Sequence, residues 1–379
     1  MKENNSKKQS KTQGKYHNQI APKDVTLEKF PLYIGIDLGD KNSEICVFNA
    51  DGEVSERFRL RMNEAAFESY FTGIPRSAVA IEAGAQSRWV AGTLEQCGHK
   101  VYVSNTRKVP YISQTDDKDD PGDAFKLGEL AYLKPRLLHP IQHRSQAAQA
   151  DLSWIRAREA LVESRTQLIN TIRGISKGFG KRLQRCSVES FTAKRAQEVP
   201  EDIRGPLAPL LEMVDQLNEK IRYYDEMEEH IARTRYPKYW LLDQVDGVGV
   251  HTALAYMLTI GDPERFERSR PVGCFLGMRP KRQDSGEQQP QLGITKGGDM
   301  YLRKTLVNCA QHILGPYGVD SDLRRFGLRI CERGGKNAKK RAVVAVARKL
   351  AVLLHRLWMS GEVYEPLRNH THAQSAAVA

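Results

Sequence analysis

Short apolar runs separated by turn residues mark the first third of the chain. A run at 33–36 ends on Asp37, and a second run covers 45–48. The Asp51-Gly52 pair that follows is a strong hairpin signal when β-rich runs flank it. The pattern predicts a hairpin whose first strand ends on a single carboxylate. A carboxylate placed there is costly unless a basic group or a metal ion meets it.

Alternating helices and strands continue this pattern. The sequence predicts a helix over 64–71, a buried strand over 78–81 that ends on Glu82, a helix over 88–97 and a strand over 101–103. We therefore expect an α/β domain in this part of the chain, with a second strand that also ends on a carboxylate.

An acidic segment follows these elements. Pro121 can open a helix, because proline is tolerated in a first turn, and apolar residues continue beyond it with helical spacing. This places Asp120 and Asp123 at the helix start. Asp116 and Asp119 share the same spacing, so the register of the pair stays open, although the helical residues that follow favour the later pair.

Three separate stretches thus deliver carboxylates, namely Asp37, Glu82 and the pair Asp120 and Asp123. Mg²⁺ or Mn²⁺ prefers hard oxygen ligands, and two such ions can hold the attacking and leaving oxygens of a phosphodiester. Each residue alone has a structural explanation, because Asp often caps a turn and complements the dipole of a helix start. The set in this order favours a metal site.

Apolar residues change to helical spacing after residue 140. Between 141 and 235, two series predict long helices that fold back as an antiparallel pair, and the second series keeps a heptad spacing broken only by Glu228. Packing within the chain explains the pattern, and pairing with another subunit is the alternative. We expect a coiled-coil insert over 141–235, between a metal domain over 31–140 and a C-terminal domain over 236–362.

Two features of the C-terminal domain suggest phosphate binding. Gly247 and Gly249 lie between apolar helical segments, as in a helix-hairpin-helix, although a plain helical packing turn has the same pattern. A polar loop with Ser285 then leads to a helix near Met300. A serine in such a loop is ordinarily a turn residue, and no His or Asp that could activate it can be assigned from sequence.

The net charge of +12 over 379 residues favours a polyanionic partner, with nucleic acid first. Basic residues concentrate around Ser285 and over 324–349, ahead of a helix predicted over 342–358, although a solvated surface is the alternative. The candidates for nucleic-acid binding are Arg279, Lys281, Arg282, Lys296, Arg303, Lys336, Lys339, Lys340 and Arg341.

Composition bounds the remaining possibilities. No apolar run approaches the length of a membrane span, and the lysine-rich start has no secretory signal, so we expect no membrane partner. Six scattered cysteines without a CxxC pair suit a reduced cytoplasmic protein without structural zinc. The polar segments 1–30 and 363–379 are expected to be a disordered basic arm and a disordered tail.

Together these residues resemble the DEDD-type insertion-sequence transposases, which are recombinases guided by a structured RNA from the element itself. The resemblance covers about 32–360. Its motifs are GIDLGD with Asp37, IEAG with Glu82, the Asp120–Asp123 pair followed by Ala124, and the segment that runs from Phe275-Leu276-Gly277 through Ser285-Gly286 and Gly293-Ile294-Thr295-Lys296 to Tyr301-Leu302-Arg303.

The resemblance implies a ribonuclease-H-like N-terminal domain similar to Holliday-junction resolvases, a coiled-coil insert and a mainly helical transposase domain. It implies that Asp37, Glu82, Asp120 and Asp123 bind Mg²⁺ and that Ser285 attacks DNA to form a phosphoserine intermediate. It also implies donor and target DNA, a guide RNA and a homo-dimer or homo-tetramer in the cytoplasm, associated with the nucleoid. Relatives often carry two hydroxyl residues before the glycine, whereas Asp284 precedes Ser285 here.

Three alternatives remain at this point. A metal-dependent junction nuclease without a covalent serine step would explain the carboxylates and the basic charge. The start GIDLGDKNS also looks like the first phosphate loop of ATPases and sugar kinases, but the second phosphate loop and the adenosine site of that class are not evident. A non-catalytic RNA-binding protein that kept the fold is the third.

Overall fold

The computed structural model describes residues 28–105, 108–113, 120–282 and 292–369. The chain divides into two compact units, of which the first ends at His143 and the second begins at Arg144. The elements of the first unit are β1 (Tyr33–Asp37), β2 (Asn42–Phe48), β3 (Val54–Arg61), α1 (Glu64–Thr72), β4 (Ala78–Glu82), α2 (Ser87–Gln96), β5 (Lys100–Ser104), α3 (Pro110–Ser113), α4 (Asp120–Leu133) and a 3-10 helix (Pro135–Leu138).

A five-stranded sheet in the order β3-β2-β1-β4-β5 forms the first unit. Strand β1 lies at the centre, antiparallel to β2 and parallel to β4. The predicted hairpin is therefore confirmed, and the Asp51-Gly52 turn leads into β3 as the edge strand. This mixed sheet with its flanking helices is compatible with a ribonuclease-H-like domain.

Helix α4 packs directly on one face of the sheet because two glycines leave room for its backbone. A Cβ on Gly35 would collide with backbone atoms of Ala124 and Gly128, and a Cβ on Gly128 would meet the ring of Phe48. Alternate residues of β1 point to opposite faces, so Gly35 and Asp37 share the face that α4 covers. The close approach therefore determines how near the start of α4 comes to the end of β1.

The second unit is helical. Its elements are α5 (Gln146–Gly178), a 3-10 helix (Ala193–Glu198), α6 (Glu201–Arg235), a 3-10 helix (Pro237–Tyr239), α7 (Trp240–Asp243), α8 (Val250–Ile260), a 3-10 helix (Pro263–Arg265), α9 (Val272–Phe275), α10 (Met300–Leu314), α11 (Asp322–Glu332) and α12 (Ala338–Ser360).

The two longest helices, α5 and α6, pack against each other along the predicted apolar series. Ile169 and Ile172 of α5 form a buried cluster with Leu211 and Val214 of α6. Glu228, which interrupts the series, is buried and contacts the imidazole of His251. The polar break in the pattern therefore marks the place where α6 meets another helix of the same unit.

The structure differs from the sequence predictions at the C-terminal end. Helix α12 begins at Ala338 rather than at 342, because Ala338 is already buried, and α11 was not predicted. Residues 363–369, expected as part of a disordered tail, make defined contacts. The amide of Tyr364 donates to Gln244 Oε1 at 2.7 Å, and the amide of Asn369 donates to Asp322 Oδ2 at 2.9 Å.

The N-terminal boundary also moves. Residues 1–27 of the expected basic arm lie outside the described residues, whereas Phe30 is buried and its amide donates to the Tyr33 hydroxyl. In the part of the chain that the structure describes, no helix combines the length and the apolar character that crossing a membrane requires.

Candidate active site

The carboxyl ends of two adjacent parallel strands bring Asp37 and Glu82 together. Ile36 of β1 pairs with Ile81 of β4, so the next residue on each strand, Asp37 and Glu82, occupies the same row of the sheet. Neighbouring strands lie about 4.7–4.9 Å apart. The two carboxylates that the sequence singled out are therefore neighbours at one edge of the sheet.

Helix α4 adds the remaining predicted carboxylates. It begins at Asp120 and carries Asp120 and Asp123 in its first turn. Both residues lie close enough to Asp37 for their negative charges to raise its pKa. Asp116 and Asp119, the other possible register of the pair, lie outside the described residues. We name Asp37, Glu82, Asp120 and Asp123 the acidic row.

The acidic row changes the acidity of its central member. Burial, followed in decreasing order by the negative charges of Asp120, Asp123, Glu82 and Glu44, raises the pKa of Asp37 from 3.8 to about 6. Repulsion of this kind is relieved when a cation binds between the carboxylates.

Glu44 was not predicted as part of this site. It lies opposite Asp37 in the antiparallel register of β1 and β2, and it forms an ion pair with Arg59 of β3. The alternation of β2 could have indicated the face on which Glu44 lies, but not the strand residue opposite it.

The donor chemistry of the acidic row fits a hard divalent cation such as Mg²⁺. Within the described residues, however, no three acidic, histidine or cysteine side chains already converge on one point as metal ligands. Asp123 is instead engaged by Lys126, whose ammonium lies 3.1 Å from Asp123 Oδ1. Holding an ion would therefore require side-chain rotation and the release of Asp123 from Lys126.

In the second unit, the two segments that flank residues 283–291 in the sequence pair with each other. The amide of Lys281 donates to Gly293 O at 2.8 Å, and the amide of Thr295 donates to Arg279 O at 2.9 Å. A β-bridge joins Pro280 and Ile294. We name these paired segments, 277–282 and 292–298, the stem. Residues 283–291, with Ser285, lie outside the described residues.

Glycines and one arginine close the base of the stem. Gly277 (φ 69°) and Gly298 (φ 77°) adopt left-handed conformations, and a Cβ on either would collide with backbone atoms. Arg303 donates to Leu276 O at 3.0 Å and to Gly297 O at 2.9 Å. Its guanidinium therefore has a structural role here, and the DNA contact that the sequence predicts for Arg303 stays a prediction.

Asp299 connects the stem to α10 as its N-cap. Its Oδ1 accepts a hydrogen bond from the amide of Leu302, and its Oδ2 accepts one from Arg156 at 2.8 Å. The same Arg156 lies over the ring of Tyr301, whose hydroxyl contacts His251 Nε2. Contacts from Arg156 of α5 and His251 of α8 thus fix the position of the start of α10.

A basic cavity of about 2030 Å³ lies beside the stem within the second unit. This volume exceeds the roughly 300–1,000 Å³ of typical small-molecule pockets, so a polymer is the better occupant. Its acidic lining residues are Asp322 and Glu365, and its basic lining residues are Arg270, Lys281, Arg282, Lys296, Arg325, Arg329, Arg333, Lys340, Arg341, Arg348, Lys349, Arg356 and Arg368.

The predicted basic residues divide between this cavity and other surfaces. Lys281, Arg282, Lys296, Lys340 and Arg341 line it. Sequence reasoning marked 324–349 as basic but did not single out the arginines of α11 or those of the later turns of α12, since they become one surface only when the two helices pack together. Arg279, Lys336 and Lys339 are exposed outside this lining.

The Gly247–Gly249 turn lies at the start of α8. Gly247 has a φ of 81°, and a Cβ there would meet the side chain of His312. Gly249 is the N-cap of α8 and provides no side-chain hydrogen bond. Arg158 and Lys304 line the adjacent surface, and each already forms ion pairs with carboxylates of α5 or α6. The arrangement is compatible with phosphate binding and equally with helix packing.

Comparison with known proteins gives consistent matches. A family model for DEDD-type transposases matches 34–179, and a second model, described as the transposase IS116/IS110/IS902 family, matches 239–319. The chain is 26% identical over 339 residues to the transposase for insertion sequence element IS1111A of Coxiella burnetii, covering 87% of this chain and 90% of the relative.

Two other relatives extend this picture. A probable family 20 transposase of Pseudomonas aeruginosa is 29% identical over 341 residues, which cover 88% of this chain and 98% of the relative. The pilin gene-inverting protein of Moraxella lacunata is 26% identical over 116 residues, which cover 30% of this chain and 34% of the relative.

Proposed function

The chain belongs to the DEDD-type insertion-sequence transposases and is a DNA transposase, and from this premise we propose how it cleaves and joins DNA. We propose that the acidic row binds Mg²⁺ beside the scissile phosphate and that Ser285 is the nucleophile. The observation that carries the proposal is the meeting of Asp37, Glu82 and the start of α4 at one sheet edge, where burial and then the neighbouring carboxylates raise the pKa of Asp37.

Each residue of the acidic row has a part in this proposal. Asp37, Glu82, Asp120 and Asp123 supply the oxygen ligands that would hold the ion. When bound, Mg²⁺ supplies charge stabilisation for the phosphate oxygens in the transition state. The burial of Asp37 strengthens every electrostatic interaction at this edge, because the local dielectric constant is lower than that of water.

Ser285 would exchange one ester bond for another. Its Oγ attacks the phosphorus of the scissile linkage, a serine–phosphate ester forms, and the bond to the departing nucleotide oxygen breaks. The serine proton passes to water, and the departing nucleotide oxygen takes up a proton from water and leaves as a hydroxyl. The reverse reaction with a hydroxyl of a second strand rejoins the DNA and restores the serine. The support comes from the stem, which joins basic residues to the segment that contains Ser285.

The basic cavity suits the nucleic-acid partners. We propose that it binds DNA backbone and that a structured RNA from the element guides target choice, consistent with a net charge of +12. The resemblance to the family implies a composite site, so we propose that the acidic row of one subunit and the serine of another act together in a homo-dimer or homo-tetramer.

A covalent adduct tests the serine step. Protein incubated with Mg²⁺, its RNA and labelled element-end DNA should yield a protein–DNA band that survives denaturation. Ser285→Ala should abolish this band, whereas Ser153→Ala, which removes a hydroxyl that donates to Ala150 O on α5, should retain it. Cleavage by Ser285→Ala at the wild-type rate without an adduct would show a metal-dependent junction nuclease instead.

A further inference from the structure

The edge strand β3 carries a row of arginines that the proposed chemistry does not use. Arg57, Arg59 and Arg61 are exposed, whereas Phe58 and Leu60 between them pack against the core on the opposite side of the sheet. Alternate residues of a strand point to the same face, and each two-residue step covers about 6.8 Å. The three guanidinium groups therefore form a line on one face of the sheet.

The strand register places these arginines close to the acidic row. Arg59 lies opposite Glu44 of β2, and Glu44 lies opposite Asp37 of β1. Because neighbouring strands are about 4.7–4.9 Å apart, the backbones of Arg59 and Asp37 are separated by roughly 10 Å. Strand β3 runs in the same direction as β1, so Arg57 lies before this level and Arg61 lies beyond it.

Helix α4 leaves this part of the face open. It packs on β1, β2 and β4, while all three arginines of β3 remain exposed. Arg57 lies over the ring of Phe125 of α4, 5.2 Å from its centroid. The line of arginines thus lies beside α4 on the face of the sheet that also carries the acidic row.

The ion pair of Arg59 orients its guanidinium and leaves part of it accessible. Glu44 accepts from Arg59 Nε, and the Arg59 side chain is still 72% exposed, whereas the side chain of Glu44 is only 16% exposed. The terminal NH₂ groups of an arginine held in this way can bind phosphate oxygens. Among the described residues, Arg61 has no ion-pair partner. The alternative explanation is that these arginines only prevent the edge strand β3 from pairing with a strand of another molecule.

We propose that Arg57, Arg59 and Arg61 bind the sugar–phosphate backbone of the DNA strand that is cut and place its scissile phosphate beside Asp37. This inference rests on the proposed metal-dependent cleavage. It assigns the first unit a DNA contact of its own, in addition to the basic cavity of the second unit. The occupant is a DNA strand, recognised by its phosphates and not by its bases.

Equilibrium binding provides the first test. The probe is a fluorescein-labelled single-stranded DNA oligonucleotide of mixed sequence, titrated with the full chain across a range of salt concentrations. A single strand contributes a slope of about 0.7 per phosphate contact in a plot of log affinity against log salt. The triple variant R57Q/R59Q/R61Q should therefore lower this slope by about 2. The control K29Q/R76Q/K100Q removes the same charge from other exposed positions of the first unit and should leave the slope unchanged.

Cleavage kinetics provide the second test. The triple variant should raise KM for element-end DNA at least tenfold, while Mn²⁺ binding measured by electron paramagnetic resonance stays at the wild-type level. Arg59→Lys keeps the charge but loses the planar fork, so it should have an intermediate KM. If the triple variant unfolds, Arg61→Gln provides the test instead. Arg61 has no ion-pair partner in the described chain, so this variant should stay folded and should still raise KM.

The outcomes separate this inference from the proposed function. If Asp37→Asn abolishes cleavage while the triple variant keeps the wild-type salt slope and KM, the arginine line is wrong and the metal site stands. If cleavage does not depend on Asp37, the proposed function fails, and the salt slope still reports on the arginines. A loss of RNA binding without a loss of DNA binding would also overturn the inference.

Discussion

The ammonium of Lys126 lies 3.1 Å from Asp123 Oδ1, and the two residues are about one turn apart on α4. Both side chains are mostly shielded from water, being 13% and 21% exposed. Lys126 therefore competes with a divalent cation for the same carboxylate. The lysine neutralises part of the acidic row when no cation is bound.

Removing this competitor should strengthen cation binding. In Lys126→Met, the Mg²⁺ concentration that gives half of the maximal rise in Tm should fall by about three- to tenfold, because a charge-assisted contact no longer has to break. Lys134→Met, just beyond the other end of α4, serves as the control with the same loss of charge. An unchanged or higher midpoint in Lys126→Met would argue against a metal ion at Asp123.

The pKa of Asp37 makes stability depend on pH. Its value of about 6 exceeds the ordinary 3.8, so the folded state binds the proton more tightly than the unfolded state does. Between these two values, stability should fall as pH rises, and the full penalty should apply above the folded pKa. Asp37→Asn removes the charge and should raise Tm by a few degrees at pH 8 but not at pH 4.

Thermal unfolding across pH 4 to 8, without divalent cations, checks this expectation. Asp51→Asn, at the exposed turn between β2 and β3, provides a control carboxylate of the same unit. A lower Tm for Asp37→Asn at pH 8 would mean that its carboxylate has a stabilising partner, contrary to the burial and repulsion that raise its pKa.

DNA binding by the full chain should weaken steeply with salt. If about six phosphates are neutralised, affinity should fall on the order of a thousandfold between 50 and 200 mM. Arg329→Gln and Lys340→Gln in the basic cavity should each reduce the salt slope by about 1. Arg233→Gln should not, since Arg233 pairs with Glu229 on α6 and does not line the cavity. A flat salt response would exclude a phosphate-backbone interface.

Mixing inactive variants tests whether the site is shared between subunits. Asp37→Asn and Ser285→Ala should each be inactive alone. After random reassociation of dimers, about a quarter of the sites would have both an intact acidic row and an intact serine, if each site takes one part from each subunit. Adduct formation in the mixture measures this recovery. A mixture as inactive as its components would place both parts in one subunit.

The acidic row was predictable because its members stand at element boundaries that local sequence marks. Asp37 and Glu82 each end a short apolar run, and the proline after Asp120 marks a helix start. Strand order was not needed to group them, because strand ends and helix starts of an α/β domain meet at one edge.

Glu44 and the arginines of β3 could not be found in this way. Their significance depends on cross-strand register, which places Glu44 between Asp37 and Arg59. A shift of one residue would turn each of them to the other face. The basic stretch over 324–349 was predicted, but the cavity that its arginines form was not. The reason is similar, because these arginines lie on α11 and α12, and local sequence spacing does not show how the two helices pack together.

Direct titration of the acidic row with Mn²⁺, followed by electron paramagnetic resonance, bears most closely on the central claim. The wild-type chain should bind Mn²⁺, and Mg²⁺ should displace it. Asp37→Asn, Glu82→Gln and Asp123→Asn should each weaken binding at least tenfold and abolish DNA cleavage, while Asp51→Asn should do neither. Wild-type Mn²⁺ affinity and cleavage in the three row variants would contradict the claim that these carboxylates hold the catalytic ion.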